Sequence, residues 1–202
     1  MGNADRRNFQ VEDLKIRRIE DWKQILKFFM GEKKMNTLAL TKIPYGMFII
    51  TSAFDGKIGG QIANTVFQIN SNPATIAISI SKQNNTHFLL FNSKKAVIST
   101  ITEEASFEFI GKFGFRSSRD FNKFENVEYK LNENGLPIVT QFVNSYFETE
   151  IISQFETETH TVFLCKVINC EVLNDNPTMT YDYYHKVKKG LTPKNAPTFI
   201  AK

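Results

Sequence analysis

Two long runs near the end of the chain, SYFETEIISQFETE over 145–158 and TVFLCKVINCEVL over 161–173, alternate apolar and polar residues with only Thr159 and His160 between them. A period of two sends successive side chains to opposite faces of a pleated strand. Runs this long and this close in the chain form the arms of a hairpin, and an isolated hairpin is marginal in water, so a larger sheet must receive it. Shorter runs of β-branched and aromatic residues supply that sheet: GMFIITSAF before Asp55-Gly56, TIAISIS after Pro73, and AVISTI after Lys94-Lys95. Turn residues separate them. The expected architecture is mainly β, a closed antiparallel sheet with a few helices.

Helical spacing appears in three places. Residues 11–29, VEDLKIRRIEDWKQILKFF, put Val11, Leu14, Trp22, Ile25 and Phe29 near one face. The acids Glu12, Asp13, Glu20 and Asp21 dilute the lysines and arginines of the other face, so this helix is expected to pack on protein and not on a membrane. GEKKMN, 31–36, reads as a linker. Thr86–Phe91 and Glu104–Lys112 are the other two helices, the second with Phe107, Ile110 and Gly111 at its core-facing end.

FETE occurs at 147 and again at 155. Glu148, Glu150, Glu156 and Glu158 share one parity and Phe147, Ile151 and Phe155 the other, so a solvated strand face accounts for the carboxylates without acid–base chemistry. Cys165 and Cys170 lie at odd spacing on one strand and face opposite ways, which disfavours a bridge; reduced packing residues of a cytoplasmic protein are expected. Neither CxxC nor HxxxH spacing occurs, and no metal site is expected. No apolar run reaches the ~18 residues of a membrane span. The N-terminus, MGNADRRNFQ, has no signal-like apolar core, and Arg6 stands where a myristoylation signal needs Ser or Thr.

Three stretches carry the candidate chemistry. In DGKIGGQIANTVFQINSNP, 55–73, Gly59-Gly60 precede the small polar Ala63-Asn64-Thr65; the glycines suit either a close approach to a flat ligand or an ordinary hairpin after Asp55-Gly56. In SISKQNNTHFLLF, 79–91, a strand ends in Ser81-Lys82 and a helix starts near Asn85-Thr86, which makes either a simple cap or a phosphate site. FGFRSSRDFNKF, 113–124, sets two arginines and a lysine among four phenylalanines, ingredients common to a nucleic-acid groove and a flavin phosphate site. The net charge of +4 and a pI near 9.0 come with like-charge runs no longer than pairs. That favours a small anion over a polyanion, so nucleic acid is not the expected partner.

Taken in order, IPYGMFIITS, GGQIANTVFQINSNP, SKQNNTH, FGFRSSRDFNKF, HTVFLCKV and YDYYHKVKKGLTPKNAPTF resemble the flavin reductase-like family of FMN-binding split β-barrel proteins, especially its flavoredoxin and high-molecular-weight rubredoxin members. The resemblance runs from about Leu38 to Phe199. It implies a six-stranded antiparallel Greek-key split barrel over 36–202 with peripheral helices, behind an N-terminal helical extension over 1–35. It further implies a homodimer with FMN near the interface, reduced by NADH or NADPH. Ala63, Asn64, Thr65 and Val66 would face the isoalloxazine. Ser81, Lys82, Thr86, Ser117, Arg119 and Lys123 would hold the phosphate, and His160 would stand near the nicotinamide. The implied activity is flavin reduction, with a flavoredoxin-type carrier reduced by a protein partner as the alternative. Members that carry their own rubredoxin have cysteine pairs after this tail, whereas this sequence runs to Lys202, so a separate rubredoxin-like acceptor is expected. Ser118 departs from the S-G-R-D run of relatives, and a positive φ there would strain the loop.

Overall fold

The computed structural model describes residues 35–199, with Lys23 and Leu26. The chain divides into two compact units, Met1–Leu38 and Ala39–Lys202, and the elements described below belong to the second, but for the start of a 3-10 turn at Thr37. Apart from Lys23 and Leu26, the expected helix over 11–29 lies outside the described residues, as does most of the 31–36 linker. The strands among the described residues are β1 (Phe48–Phe54), β2 (Lys57–Ala63), β3 (Val66–Ser71), β4 (Ala74–Ser81), β5 (Lys95–Ile101), β6 (Tyr129–Leu131), β7 (Pro137–Val139), β8 (Val143–Glu156) and β9 (His160–Val172). Within residues 39–199 the α-helices are α1 (Asn85–Ser93), α2 (Phe107–Gly114) and α3 (Tyr181–Lys186).

Seven strands form one antiparallel sheet in the order β2-β1-β5-β8-β9-β4-β3, and β6 and β7 pair separately. The expected six strands closed into a barrel are corrected here: the ladder has seven strands and is not closed by hydrogen bonds. The difference lies at Asn64-Thr65. β2 is one edge of the sheet and β3 the other, yet only these two residues separate them, so 57–71 is one arm that turns a corner and carries the chain from edge to edge. There the Ser79 N–H donates to the Thr65 carbonyl (3.1 Å). Counting that arm once restores six strands. It also restores the Greek key, because β1, the arm and β4 run consecutively and β5 then returns to lie beside β1.

The turn joining β1 to β2 shows how the sequence sets register. Asp55 and Gly56 both have positive φ, 51° and 69°, the geometry of a two-residue hairpin turn whose twist matches the strands. Phe54 therefore faces Lys57 and Thr51 faces Gly60. Both faces of β1, β4 and β5 are largely covered. Ile50, Ile78, Ile80, Ile98 and Phe163 fill the interior with Leu90 of α1, and each such burial contributes roughly 2 kcal/mol. On the outside, Ile49 and Ile101 pack against Phe109, Ile110 and Phe113 of α2. Tyr146 and Val97 lie under Leu136 and Ile138 at the β6–β7 hairpin.

Two readings of local pattern change. α2 begins at Phe107 because Ser106 caps it, accepting from the Phe109 N–H (3.2 Å); its buried residues are Phe109, Ile110 and Phe113, while Phe107 is 56% exposed. In the β8–β9 pairing the register shifts at Glu148/Thr149, where the extra residue is Ile168 of β9, and at Ile151/Ser153, where it is Ile152 of β8; the second breaks the period of two in β8. A bulge moves every following side chain to the other face. Phe147 and Ile151 accordingly pack inward, but Phe155, of the same parity, is exposed. Cys165 is buried and Cys170 exposed, both as free thiols. Among the described residues no helix is long and apolar enough to cross a membrane.

Candidate functional site

A cavity of about 440 Å³ opens on the sheet between the end of β2 and β4, a size typical of small-molecule sites. All three chemistry-bearing stretches reach it. Gln61, Ala63 and Asn64 come from the end of β2 and its corner, Ser79 and Ser81 from β4, Asn84 to Thr86 from the start of α1, and Arg116 to Arg119 with Lys123 from the loop after α2. The glycines before the corner serve protein packing. A Cβ at Gly59 would meet Leu89 Cδ1 at 2.5 Å, and one at Gly60 would meet Thr51 Cγ2 at 2.9 Å and the Ile50 carbonyl at 3.2 Å. Their missing side chains let α1 and the Ser118 loop close down on β2, where the sequence had left a ligand approach open.

One corner of the cavity is built for an anion. First-turn N–H groups of a helix lack intrahelical acceptors and sit at its positive end. Asn84, which is extended and makes no side-chain cap, starts α1 without satisfying them. Thr86 is buried there, and Ser81 beside it accepts from the Gln83 N–H (3.4 Å). Lys123 stands opposite, 4% exposed. Its ammonium donates to the carbonyls of Gly60 (2.8 Å) and Phe113 (3.2 Å), and burial pushes it down from 10.5 to about 8. No carboxylate pairs with it among the described residues. Ser117 Oγ accepts from the Arg119 N–H (3.2 Å), and Arg119 itself is exposed. Ser118 is not among the positive-φ residues, so the serine in place of glycine brings no backbone strain. Its Oγ is buried without a partner, as is Oε1 of Gln61 on the other side of the cavity.

The tail forms the remaining wall. Leu191 and 193–197 line the cavity with Tyr181 and Tyr184 of α3. Asn64 Nδ2 donates to Thr198 Oγ1 (2.8 Å), and Asn195 Nδ2 donates to Asn84 Oδ1 (3.1 Å). Tyr181 Oη continues the chain of contacts to Thr198 (3.4 Å) and Thr192 (2.8 Å). Asn64 also accepts from Thr65 Oγ1 (3.2 Å), so its amide is held by protein on both sides.

Seven of the eleven expected site residues line this cavity: Ala63, Asn64, Ser81, Thr86, Ser117, Arg119 and Lys123. The other four do not. Thr65 contributes a carbonyl to the corner, and Val66 packs against the interior cluster. Lys82 is paired with Glu156 (2.8 Å), whose carboxyl it holds below the usual range. His160 stands across from Ser81 in the β4–β9 register, on the same face of the sheet. Its Nδ1 meets Thr159 Oγ1 (2.8 Å), and its Nε2 is buried without a partner. The tail residues, Gln61, Ser79 and Asn84 were not singled out from the sequence. The signal for Asn84 was present in the QNN run ahead of an apolar helix; nothing local in TPKNAP distinguishes a cavity wall from a surface loop.

Similarity to known proteins agrees with this geometry. Residues 40–192 match the family described as flavin reductase like domain. The chain is 45% identical over 165 residues to a high molecular weight rubredoxin of Moorella thermoacetica, covering 82% of this chain and 72% of that protein. It is 42% identical over 166 residues to a ferric-chelate reductase (NAD(P)H) of Archaeoglobus fulgidus, covering 82% of this chain and 98% of that one. Among solved structures, an FMN-binding protein from Thermus thermophilus superposes with a TM-score of 0.62 at 18% identity, over 69% of this chain and 82% of that one. The corner-turning arm, the curled sheet and the match over 40–192 make this chain a member of the flavin reductase-like family.

Proposed function

We propose that this protein is an FMN-binding, NAD(P)H-dependent flavin reductase. The observation that carries the reading is the meeting, in one cavity, of the α1 N-terminus with Arg119 and the buried, carboxylate-free ammonium of Lys123. A phosphate ester answers all three. Gln61 Oε1 and Ser118 Oγ, buried and unpartnered, fit a ligand rich in hydrogen-bonding groups. Bound FMN would supply the redox chemistry, taking reducing equivalents from NADH or NADPH for delivery to free flavin or a rubredoxin-like redox protein.

The chain's own residues bind and orient. Lys123, Arg119, Ser117, Ser81 and Thr86 grip the phosphate. Ala63 to Val66 would present the backbone of the corner to the ring, and the tail, which walls the cavity, would exclude water from it. His160, its orientation held by Thr159, offers Nε2 to the nicotinamide amide. Lys82 reaches the phosphate only by releasing Glu156. Two copies pair through the apolar rows of the outer sheet, where Phe67 on β3 and Phe155 on β8 are exposed. We assign the protein to the cytoplasm, consistent with its free thiols.

Protein purified in the presence of FMN is expected to retain a visible flavin band that NADH or NADPH bleaches under anaerobic conditions. Absence of any flavin binding overturns the reading. Retained flavin inert to both nucleotides replaces it with a carrier reduced by a protein partner, the alternative favoured by the rubredoxin name of a 45% identical relative.

A further inference from the structure

When a nicotinamide reduces a flavin, a proton is consumed besides the hydride: NADH, FMN and one proton become NAD+ and fully reduced FMN. A cavity walled by the tail needs a donor for that proton in its own lining. The titratable side chains that line it are Arg116, Arg119, Lys123, Lys194, Tyr181 and Tyr184, with no carboxylate and no imidazole among them. Arg116, Arg119 and Lys123 belong to the anion corner, and Lys194 is exposed on the tail. The Tyr184 hydroxyl is committed to the Leu191 carbonyl (3.2 Å). Tyr181 is left, and its hydroxyl is wired onward.

The wire runs through α3 and the tail. Tyr181 Oη meets Thr192 Oγ1 (2.8 Å), and Thr192 Oγ1 meets His185 Nε2 (3.4 Å). On the cavity side Asn64 Nδ2 donates to Thr198 Oγ1 (2.8 Å), which donates to Tyr181 Oη (3.4 Å). Two links are long, as catalytic hydrogen bonds commonly are before a ligand is bound. The far end is fixed. The Gly190 carbonyl can only accept, so His185 Nδ1, 2.8 Å from it, carries a proton in either charge state. Gain and loss are therefore confined to Nε2. In the neutral imidazole Nε2 accepts from Thr192, and every hydroxyl proton from Thr198 onward points toward His185. In the charged ring Nε2 donates, and the same hydroxyls turn to point toward the cavity.

The surroundings suit this use of the ring. His185 is half-buried, one turn along α3 from Tyr181, with ring centroids 4.3 Å apart. Tyr184 packs on it at 5.3 Å, and Tyr45 meets Tyr181 edge-on at 6.3 Å. Asp182, on the same helix, is paired with Lys186 (2.9 Å), and among the described residues no carboxylate pairs with His185. Of the other two histidines in the sequence, His87 bonds Thr161 (2.8 Å), and His160 is reserved by the flavin reading for the nicotinamide.

We infer that Tyr181, Thr192 and His185 form a proton relay into the cavity. Tyr181 Oη releases its proton to the ligand and takes the one on Thr192 Oγ1; Thr192 takes the one on His185 Nε2; water recharges the imidazole. One proton enters at His185 and one leaves at Tyr181. The inference rests on the flavin reading of the cavity.

The test separates proton movement from binding. FMN-loaded protein is reduced photochemically and jumped from alkaline to mildly acidic buffer, and protonation of the reduced flavin is followed by its near-ultraviolet absorbance. Asparagine at 185 keeps an N–H for the Gly190 carbonyl, and valine at 192 keeps the shape of threonine. In His185→Asn and in Thr192→Val, FMN affinity is expected to stay within about twofold while protonation slows about tenfold or more. Thr192→Ser restores the rate, as does imidazole added to His185→Asn. Heteronuclear NMR of the flavin-free protein gives a second readout: the neutral His185 ring should carry its proton on Nδ1. Protonation at the wild-type rate in both variants overturns the relay, as does a loss of FMN affinity in step with the slowing, which makes these residues a brace for the tail. A reduced flavin that takes up no proton, or a neutral His185 protonated on Nε2, overturns it too. If the wild type binds no FMN, the flavin reading falls and takes the relay with it.

Discussion

Replacing Lys123 with methionine keeps most of the side chain's length and removes its charge, and the effect on stability should depend on pH in a definite direction. In the folded chain burial lowers this ammonium from 10.5 to about 8. The unfolded chain therefore holds the proton more tightly between those values, and stability rises with pH wherever the unfolded state binds more protons. Below pH 8 the native protein carries the whole cost of a desolvated cation, which a difference of this size puts at about 3 kcal/mol. Between pH 7 and pH 10 the wild type should gain about 2.5 kcal/mol relative to Lys123→Met. Losing the bonds to the Gly60 and Phe113 carbonyls shifts the variant by a constant amount and leaves this slope untouched. Urea unfolding of both proteins at pH 7, 8, 9 and 10, followed by circular dichroism, reads the difference directly. All other groups titrate alike in the two chains. A gap between wild type and variant that stays constant from pH 7 to pH 10 would refute the assignment of Lys123 as a buried cation without a counter-ion.

Packing and burial set two further outcomes. A Cβ at Gly190 would stand inside the ring of Tyr184, itself 3% exposed and bonded through its hydroxyl to the Leu191 carbonyl; Gly190→Ala should cost about 1–3 kcal/mol and lower the melting temperature by several degrees, and an unchanged melting curve would contradict the packing. Burial pushes the Cys165 thiol up to about 12 while Cys170 is exposed, so a chromogenic disulfide should react with one thiol in the native protein and with both in denaturant. Two fast-reacting native thiols would count against the position of β9.

The sheet was legible in the sequence where burial is simple. β1, β4 and β5 are largely covered on both faces and read as β-branched, mostly apolar runs broken only by small hydroxyl residues, and Asp55-Gly56 announced its turn. Alternation failed in β8, because a bulge is a property of pairing and leaves no mark on the residues that flank Ile152. β6, β7 and α3 went unforeseen: three-residue strands and a six-residue helix fall below the length at which any period is visible. In the site, the anion corner was legible through the types that a phosphate needs, a helix start and nearby cations. Likeness to relatives gave no sign that Val66 is drawn to the interior or that Lys82 has a neighbour of opposite charge in Glu156, since both are matters of contact between distant strands. Gly59-Gly60 illustrate a further limit, because close approach was the right physics and the approaching group was Leu89 of the same protein.

The gap between β2 and β4 has mechanical meaning. Everywhere else around the ring, adjacent strands are riveted by backbone bonds, and prising them apart breaks several at once. Here the lips can part without breaking any rung, so widening the crevice is cheap. A flat molecule lodged across it, touching Ala63 on one lip and Ser81 on the other, acts as the missing rivet and raises the unfolding temperature by mass action.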